Sequence, residues 1–392
     1  MTQQRSLEEM MSTSESRNKN WSPPDIFDLA MPDDAERLTQ AYRDGRVCNT
    51  HNAIGTIARN LFELNHPGGT ADELEEYVKQ DRFSGREYGK WVLYPWSGDV
   101  VRFPEEADYF HMRTDRFRNL ITRDQLHRLR DNHVLVGGQS VGSVVTLALI
   151  RNLGLREVTI SDRAQPNVSG IGRSETSMLD LGLPKIDGTA KRMSLLDPFL
   201  VQHHIHEGIS RETLEGMRER MPSLVVDEVD DMGSSAEMRD FSKRNRLPYI
   251  TVSDVDDNAV LEVVRHDLDP SLPLYAGRVR HEEAQNLLNG TMPESDQQDV
   301  FARTIGYAHL TPPLIESTLQ IGTEVAGIPQ KGSTALVAAG VATAACREIL
   351  LGNKLDTGRY PVKIGRALGK GFTVREWLGA ASGYYDHIRS SK

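Results

Sequence analysis

Apolar and polar positions alternate between strand-like and helix-like spacing through the middle of the 392-residue chain. An apolar run at 134–136 leads into a glycine-rich turn at 137–142, apolar residues at helical spacing follow over 144–150, and a β-branched run covers 158–160. This pattern predicts a strand, a turn, a helix and a second strand. Such a turn presents backbone N–H groups at the start of a helix, where the helix dipole favours an anion. We therefore expect the turn to hold a phosphate.

The same alternation continues towards the C-terminus. Helical spacing and apolar runs succeed each other at 186–196 (helix), 200–205 (extended), 211–220 (helix), 224–226 (strand), 235–246 (helix) and 249–252 (strand). Strands that alternate with helices predict an α/β fold with a doubly wound, mainly parallel sheet and helices on both faces. Its ligand is expected at the carboxyl ends of the strands, where Asp162 and the acidic run 227–231 fall. Asp162 is placed to accept hydrogen bonds from a ribose, and the acidic run can supply a ligand to Mg²⁺.

The segments on either side of this pattern differ in character. Residues 1–24 are polar and are predicted to be a disordered tail, and 25–110 are predicted to form a small α+β module. That module has a hairpin within 88–103, whose aromatic residues fill a core or line a peptide groove; the core interpretation is favoured. The nucleotide domain then covers 111–352. Within it, the alternating pattern loosens over 254–330, which contains a polar span at 290–299 and is either a substrate lid or a surface excursion, and 353–392 remains as a C-terminal appendage.

Composition excludes several classes of protein. The net charge is −10 and no lysine- or arginine-rich block occurs, so no nucleic-acid partner is expected. The only two cysteines, Cys48 and Cys346, favour a reducing compartment and exclude a four-cysteine zinc site; Cys346 is predicted to be buried filler in a helix of small residues. The longest run of small apolar residues, 335–346, falls short of the ~20 residues that a membrane span requires. We expect a cytoplasmic protein with no membrane partner.

Two clusters of basic or imidazole side chains have open interpretations. The arginines within 112–130 form a charge clamp, in cis or across a dimer, or a solvated helix face. His204 and His206 would share one face of a strand, but an exposed sheet edge is favoured over a metal site because no third ligand lies nearby in sequence.

Four charged residues indicate which phosphate compound is bound. Arg173 and Lys185 lie between the second strand and the next helix, and Asp230 lies in the acidic run. Two cations and an acid that can bind Mg²⁺ suit a triphosphate better than a dinucleotide. Attack of a carboxylate on the α-phosphorus with loss of pyrophosphate needs the phosphate charge neutralised, and these groups supply that without a general base.

These residues together resemble the ThiF/MoeB adenylating superfamily, whose Rossmann-like fold is shared with ubiquitin-activating enzymes. The GxGGxG turn of that family corresponds to 137–142 of this chain, and its D-x-D-x-V-x-x-S-N-L-x-R stretch corresponds to 162–173. The resemblance implies a site for ATP and Mg²⁺ without zinc, and a homodimer in which Arg116 or Arg118 enters the partner's site. The residues it assigns are Gly137, Gly138, Ser140 and Gly142 at the phosphates, Asp162 at the ribose, Arg173 and Lys185 at the phosphates, and Asp230 at Mg²⁺.

The chain also departs from the family pattern. Ala164 replaces the second aspartate, Ser169-Gly170 replaces the Ser-Asn pair, and Gln139 and Ser140 replace turn glycines. No cysteine stands where a thioester would form. The runs GKWVLYPWS and GIPQKGS resemble a divergent bacterial branch, and peptide-tailoring members of the microcin and pantocin type also carry an N-terminal peptide-binding module.

We therefore expect ATP-dependent adenylation of a carboxylate on a peptide or small protein, in the maturation of a ribosomally made peptide antibiotic. Three alternatives remain. The first is activation of a sulfur-carrier protein, which keeps the same chemistry. The second is a nucleotide-dependent oxidoreductase, which leaves Arg173, Lys185 and Asp230 without a role. The third is a non-catalytic nucleotide- or peptide-binding protein on a decayed adenylating fold.

Overall fold

The computed structural model describes residues 20–369 and 371–390 of the chain. The predicted disordered tail lies, over residues 1–19, outside the described part. The chain divides into two compact units. The first runs up to Asp124 and also includes Ala190–Phe199, and the second consists of Gln125–Thr189 and Leu200–Lys392.

The first unit is a small α+β module, as the sequence predicts. Its four-stranded sheet has the order β1-β3-β4-β2, and β3 and β4 form the expected antiparallel hairpin. Its elements are β1 (Asp25–Phe27), α1 (Pro32–Arg43), β2 (Asn49–His51), α2 (Ile54–Asn65), α3 (Ala71–Val78), α4 (Asp81–Ser84), β3 (Lys90–Tyr94), β4 (Asp99–Phe103) and α5 (Glu106–Thr114).

The hairpin aromatics belong to the core of this unit. Tyr94 is only 1% exposed, and its hydroxyl donates to the carbonyl oxygen of Ser194 at 3.2 Å. Trp91 packs against the buried cluster that contains Phe27 and Leu93. The core interpretation of Trp91 and Tyr94 is therefore confirmed; Trp96 is half-buried and its ring packs at a tilt against that of Tyr94, with the centroids 5.3 Å apart.

The two units divide at a position different from the predicted domain boundary at residue 111, which lies within α5. Arg113 in this helix forms an ion pair with Asp197 at 2.9 Å, and Tyr109 donates to the carbonyl oxygen of Leu196. Both partners belong to the first unit. The boundary consequently falls after Asp124, within the following helix.

The second unit contains the predicted doubly wound sheet, with the order β11-β10-β9-β8-β5-β6-β7. Strands β5 to β9 pair in parallel, β10 and β11 are antiparallel additions, and helices flank the sheet. The helix and strand bounds, given in chain order, are α6 (Arg123–Arg130), β5 (His133–Gly137), α7 (Val141–Leu153), β6 (Glu157–Ser161), α8 (Lys185–Leu196), β7 (Val201–Ile205), α9 (Arg211–Glu215), β8 (Leu224–Asp227), α10 (Met232–Arg244), β9 (Pro248–Val255), β10 (Asn258–Arg265), α11 (His281–Leu288), α12 (Glu294–Ile305), α13 (Pro312–Leu319), α14 (Gly332–Leu350), β11 (Gly358–Lys363), α15 (Ile364–Ala367) and α16 (Val374–Ser390).

Strand register brings the expected ligand-binding segments to one edge of this sheet. Gly137 at the end of β5 lies opposite Ser161 of β6 and Asp227 of β8. The glycine turn, Asp162 and the acidic run therefore all begin at the same level. This edge is the carboxyl end of the parallel strands, where ligands of doubly wound sheets bind.

Strand β10 corrects the interpretation of 254–330 as only a lid or surface excursion. The strand is buried in the sheet, although Glu262 interrupts its apolar run. The Glu262 carboxylate is 2% exposed and accepts bonds from Arg239 at 2.7 Å and Arg278 at 2.8 Å. Strand β11 pairs with β10, so the 358–363 part of the predicted C-terminal appendage belongs to the sheet.

Helix α14 is, within the described part of the chain, the one helix long and apolar enough by composition to cross a membrane. Half of its apolar window is buried. It packs against α7 and against strands β9 and β10, and Cys346 within it is fully buried. Core packing thus accounts for its apolar surface, and the buried-filler interpretation of Cys346 is confirmed.

Candidate nucleotide site

The glycine turn is held between the ends of two neighbouring strands. The Gly138 N–H donates to the Ser161 carbonyl at 2.7 Å, and the Glu228 N–H donates to the Gly137 carbonyl at 2.9 Å. Gly138 has φ +81°, and a Cβ there would lie 2.3 Å from the Glu228 carbonyl oxygen. No side chain fits at Gly138, so the turn requires glycine at this position.

Helix α7 begins directly after this turn. Ser140 occupies its N-cap without a side-chain capping bond. The first-turn N–H groups of an α-helix have no partner within the helix, and the dipole there favours negative charge. Gly142 lies in this first turn, where a Cβ would come within 3.1 Å of the Glu228 Cβ. The geometry suits the phosphate role expected for 137–142, which remains a prediction.

Gln139 accounts for one departure from the family turn. Its side chain is 1% exposed, and its amide donates to the Gly138 carbonyl at 2.9 Å. Thr146 of α7 donates to its amide oxygen at 3.4 Å. The larger residue is therefore accommodated by hydrogen bonds inside the turn.

Asp162 connects the turn to Lys185. Its Oδ2 accepts the Gln139 backbone N–H at 2.7 Å, and its Oδ1 accepts the Ala164 N–H at 2.8 Å. The Lys185 Nζ lies 3.7 Å from Asp162 Oδ2, and the Lys185 backbone N–H donates to the Ala164 carbonyl at 3.0 Å. Two residues that the sequence assigned to ribose and phosphate are thus neighbours beside the turn.

Arg173 lies in the loop that follows β6, and its guanidinium donates to the side-chain oxygen of Gln330. A Cβ on Gly332, the first residue of α14, would lie 2.2 Å from the Gly172 carbonyl oxygen. This close approach places the GIPQKGS run against the loop that carries Arg173. Sequence reasoning did not identify Gln330, because its partner is 157 positions away.

The acidic run divides into structural and available carboxylates. Asp227 is buried and accepts hydrogen bonds from the hydroxyls of Ser235 and Tyr249, both at 2.6 Å. Asp230 is exposed at the sheet edge. Across the described residues no three His, Cys, Asp or Glu side chains are grouped to hold a metal ion. Asp230 fits Mg²⁺ in the mode where one carboxylate, water and nucleotide phosphates complete the coordination.

Asp254, near the end of β9, is a candidate site residue that sequence reasoning missed, because it ended this strand at Val252. Both carboxylate oxygens are buried and have no hydrogen-bond partner. Burial raises the pKa of Asp254 to about 7, with Arg173 opposing and Asp230 adding to the effect. Burial, together with Asp254 and Asp227, also raises the pKa of Glu228 well above its ordinary value.

The two arginines expected to enter a partner's site belong to the first unit. Arg116 lies in a 3₁₀ turn, Asp115–Phe117, and Arg118 follows it and pairs with Asp115 at 2.7 Å. Their role across a dimer remains a prediction.

The histidine cluster lies on β7, which is the edge strand of its sheet, as expected. Burial, with the neighbouring imidazoles of His206 and His203, lowers the pKa of His204 to about 4. His206 is 3.9 Å from Asp187. The predicted position at a sheet edge is confirmed, but His204 is half-buried rather than exposed.

Comparison with known proteins extends this description. No family model matches the chain. It is 25% identical over 281 residues to an uncharacterized protein of Mycobacterium tuberculosis, covering 72% of this chain and 39% of that protein. It is 31% identical over 147 residues to the tRNA threonylcarbamoyladenosine dehydratase of Haemophilus influenzae, covering 37% of this chain and 56% of the dehydratase. The chain thus spans less than two thirds of either curated relative.

Solved structures resemble the chain at a lower sequence identity than these two relatives do. The E. coli tRNA N6-threonylcarbamoyladenosine dehydratase TcdA gives a TM-score of 0.45 at 16% identity, covering 63% of this chain and 97% of that one. E. coli MccB in complex with AMPCPP and MccA gives a TM-score of 0.44 at 14% identity, and the match covers 78% of this chain and 84% of the MccB chain.

The fold belongs to the doubly wound α/β class, and the glycine turn and Asp162 lie at the edge where such folds bind their ligands. The similarity to the dehydratase, which covers 147 residues, agrees with the resemblance to the ThiF/MoeB adenylating enzymes that the motifs predict.

Proposed function

We propose that this chain is an ATP-dependent enzyme that adenylates a carboxylate on a peptide or small protein. The observation that carries the proposal is the meeting of the glycine turn, Asp162 and Lys185 at the carboxyl edge of the sheet, within 2.7 and 3.7 Å of one another. Arg173 and Asp230 act electrostatically on the same Asp254 side chain, and so belong to the same edge.

Each residue has a role in the displacement. The N–H groups of the turn and the start of α7 bind phosphate oxygens, and Asp162 accepts the ribose hydroxyls. Lys185 and Arg173 neutralise the charge that builds up while the substrate carboxylate attacks the α-phosphorus and pyrophosphate leaves. To reach the phosphates, the Arg173 guanidinium gives up its hydrogen bond to Gln330. Mg²⁺, held by Asp230 and phosphate oxygens, would supply further neutralisation when bound.

The acyl adenylate then passes directly to its acceptor. Burial, with Glu228 nearby, raises the pKa of Cys346, so this thiol cannot form a thioester. The first unit would bind a peptide, and the enzyme would be a homodimer to which Arg116 or Arg118 contributes. Maturation of a ribosomally made peptide in the cytoplasm fits this set of features, and MccB has been solved with MccA.

A second substrate class is favoured by the sequence similarity to the dehydratase, whose name refers to threonylcarbamoyladenosine in tRNA. The same chemistry would then activate a carboxylate carried on tRNA. The net charge of −10 argues against it, because nucleic-acid surfaces are generally basic.

The test is ATP–pyrophosphate exchange with peptides encoded beside the gene and, separately, with total tRNA. We expect exchange with a peptide and its loss in Lys185→Ala, with intact-mass analysis identifying the modified peptide. Exchange only with tRNA would move the substrate to the second class. Exchange with neither, by a protein that does not bind ATP, would reject adenylation.

A further inference from the structure

We propose that Asp254 is a second-step catalytic residue, which accepts a proton from an amine that attacks the acyl adenylate. The inference rests on the proposed function. It specifies the chemical class of the molecule that accepts the acyl group, which is a nitrogen nucleophile rather than a thiol. It follows from what surrounds the Asp254 carboxylate.

The position of Asp254 places it at the nucleotide edge. Strand β9 is parallel to β8, and Thr251 of β9 lies opposite Asp227 of β8, so Asp254 extends three residues beyond that level. Alternate residues of a strand point to opposite faces, so Asp254 lies on the face opposite Tyr249, whose hydroxyl contacts Asp227. Helix α14 also packs on β9. The charge of Asp254 interacts with that of Glu228, whose side chain adjoins Gly142 at the start of α7.

The carboxylate is buried without a donor. Neither oxygen has a hydrogen-bond partner, although a buried carboxylate is costly unless it is paired. Arg173 is the cation that acts on it, and the Arg173 guanidinium bonds to Gln330. The missing partner is therefore expected to arrive with a ligand.

The chemistry of the reaction components indicates which of them can be the hydrogen-bond partner of Asp254. ATP phosphates and the substrate carboxylate present anionic acceptor oxygens at the reacting centre, and these cannot satisfy the ionised form of Asp254, which is the form that acts as a base. Mg²⁺ is assigned to Asp230 and the phosphate oxygens. The acyl acceptor is the remaining component, and an amine supplies N–H donors and, when protonated, a complementary charge. The acceptor class is therefore read from the hydrogen-bonding need of Asp254.

The transfer step balances without a further reagent. The amine nitrogen forms a bond to the acyl carbon, and the bond from that carbon to the AMP oxygen breaks. The electron pair leaves on the AMP phosphate. The proton lost from nitrogen passes to the Asp254 carboxylate, so the products are an amide and AMP.

The experiment compares wild type with Asp254→Asn, using the carboxylate substrate found by exchange and two probe acceptors, glycinamide and hydroxylamine. Exchange reports the first step and amide or hydroxamate formation reports the second. Asp257→Asn is the matched control, since it removes an equal charge from the same hairpin but lies 2.9 Å from Lys331. We expect Asp254→Asn to lose about 100-fold in transfer to glycinamide, the scale of a missing general base, while exchange stays within about threefold of wild type. Hydroxylamine, which is uncharged at neutral pH, should still trap the adenylate.

Several outcomes would overturn the inference. Equal transfer to glycinamide in variant and wild type would remove Asp254 from the step, as would a wild type that uses hydroxylamine but not glycinamide. A changed Mg²⁺ requirement for exchange in Asp254→Asn would make it a metal ligand instead. Loss of exchange in the variant with an unchanged thermal unfolding midpoint would assign it to the first step. Absence of exchange in wild type would reject the proposed function itself, and the inference with it.

Discussion

The Oδ2 atom of Asp162 accepts a hydrogen bond from the backbone N–H of Gln139 at 2.7 Å. The carboxylate assigned to the ribose is thus also the group that fixes the phosphate turn. In the proposed function, ribose and phosphate recognition would consequently be coupled through one side chain, which Lys185 approaches at 3.7 Å.

Asp162→Asn is expected to weaken ATP binding. Asparagine has one acceptor oxygen, so it keeps the bond from the Gln139 N–H or the bond from the Ala164 N–H but not both, and the charged acceptor of the ribose hydroxyls is lost. Loss of charged hydrogen bonds predicts a Kd higher by about 10- to 100-fold in isothermal titration calorimetry. Glu157→Gln, at the opposite end of β6, is the matched control and should bind as wild type does. Equal affinities in Asp162→Asn and wild type would disprove the ribose assignment.

Lys185→Ala should stop catalysis while leaving the fold intact. The side chain is partly exposed, and the charge it supplies is needed mainly while pyrophosphate leaves. We expect exchange to fall by about 10²- to 10³-fold, as for other groups that stabilise developing charge. Lys354→Ala, at an exposed lysine, serves as control. Full exchange in both Lys185→Ala and Arg173→Ala would reject the phosphate assignment.

Asp230→Asn should raise the Mg²⁺ concentration needed for half-maximal exchange, by about tenfold, which corresponds to ~1.4 kcal/mol. Its exposed carboxylate is the metal ligand expected at this edge. Asp231→Asn is a close control, because Asp231 caps α10 through the Ser234 N–H and asparagine caps equally well. An unchanged Mg²⁺ titration in Asp230→Asn would remove it from the site.

The sequence predicted the β5, turn, α7 and β6 unit because its signals are local. Apolar spacing distinguishes strands from helix, and Gly138 marks a position where a Cβ would meet the Glu228 carbonyl. Strand register then puts Asp162 at the expected edge.

The rest depended on contacts between distant parts of the chain. Strand β10 was missed because Glu262 looks like a break in an apolar run until Arg239 and Arg278 are placed beside it. The contact of Arg173 with Gln330 and the burial of Asp254 depend likewise on folding, and neither leaves a pattern in the sequence.

Glu262→Gln tests this buried network. Arg239 is 2% exposed between the rings of Tyr249 and Tyr275, each 4.3 Å away, and would lose its counter-charge. Breaking a buried ion pair on one side predicts a loss of roughly 3 kcal/mol in the free energy of unfolding, measured by urea denaturation. Glu282→Gln, at an exposed site on α11, should change little. Equal stability of the two variants would contradict the account of β10.

Asp254→Asn should change how stability depends on pH. The pKa of Asp254 is raised from 3.8 to about 7 in the fold, so the native state binds more protons than the unfolded state between these values. Stability therefore falls as pH rises through this window in wild type, by no more than about 4 kcal/mol from this group. The variant should be more stable than wild type above pH 7, with the difference vanishing near pH 4. A constant difference across this range would contradict the assignment.

The most direct measurement of the central claim is a crystal structure of the protein with ATP and Mg²⁺. We predict the triphosphate over the 137–142 turn at the start of α7, the ribose hydroxyls on Asp162, and Lys185 and Arg173 on phosphate oxygens. Nucleotide bound elsewhere, or bound at this edge with its phosphates directed away from the turn and from both cations, would contradict the claim.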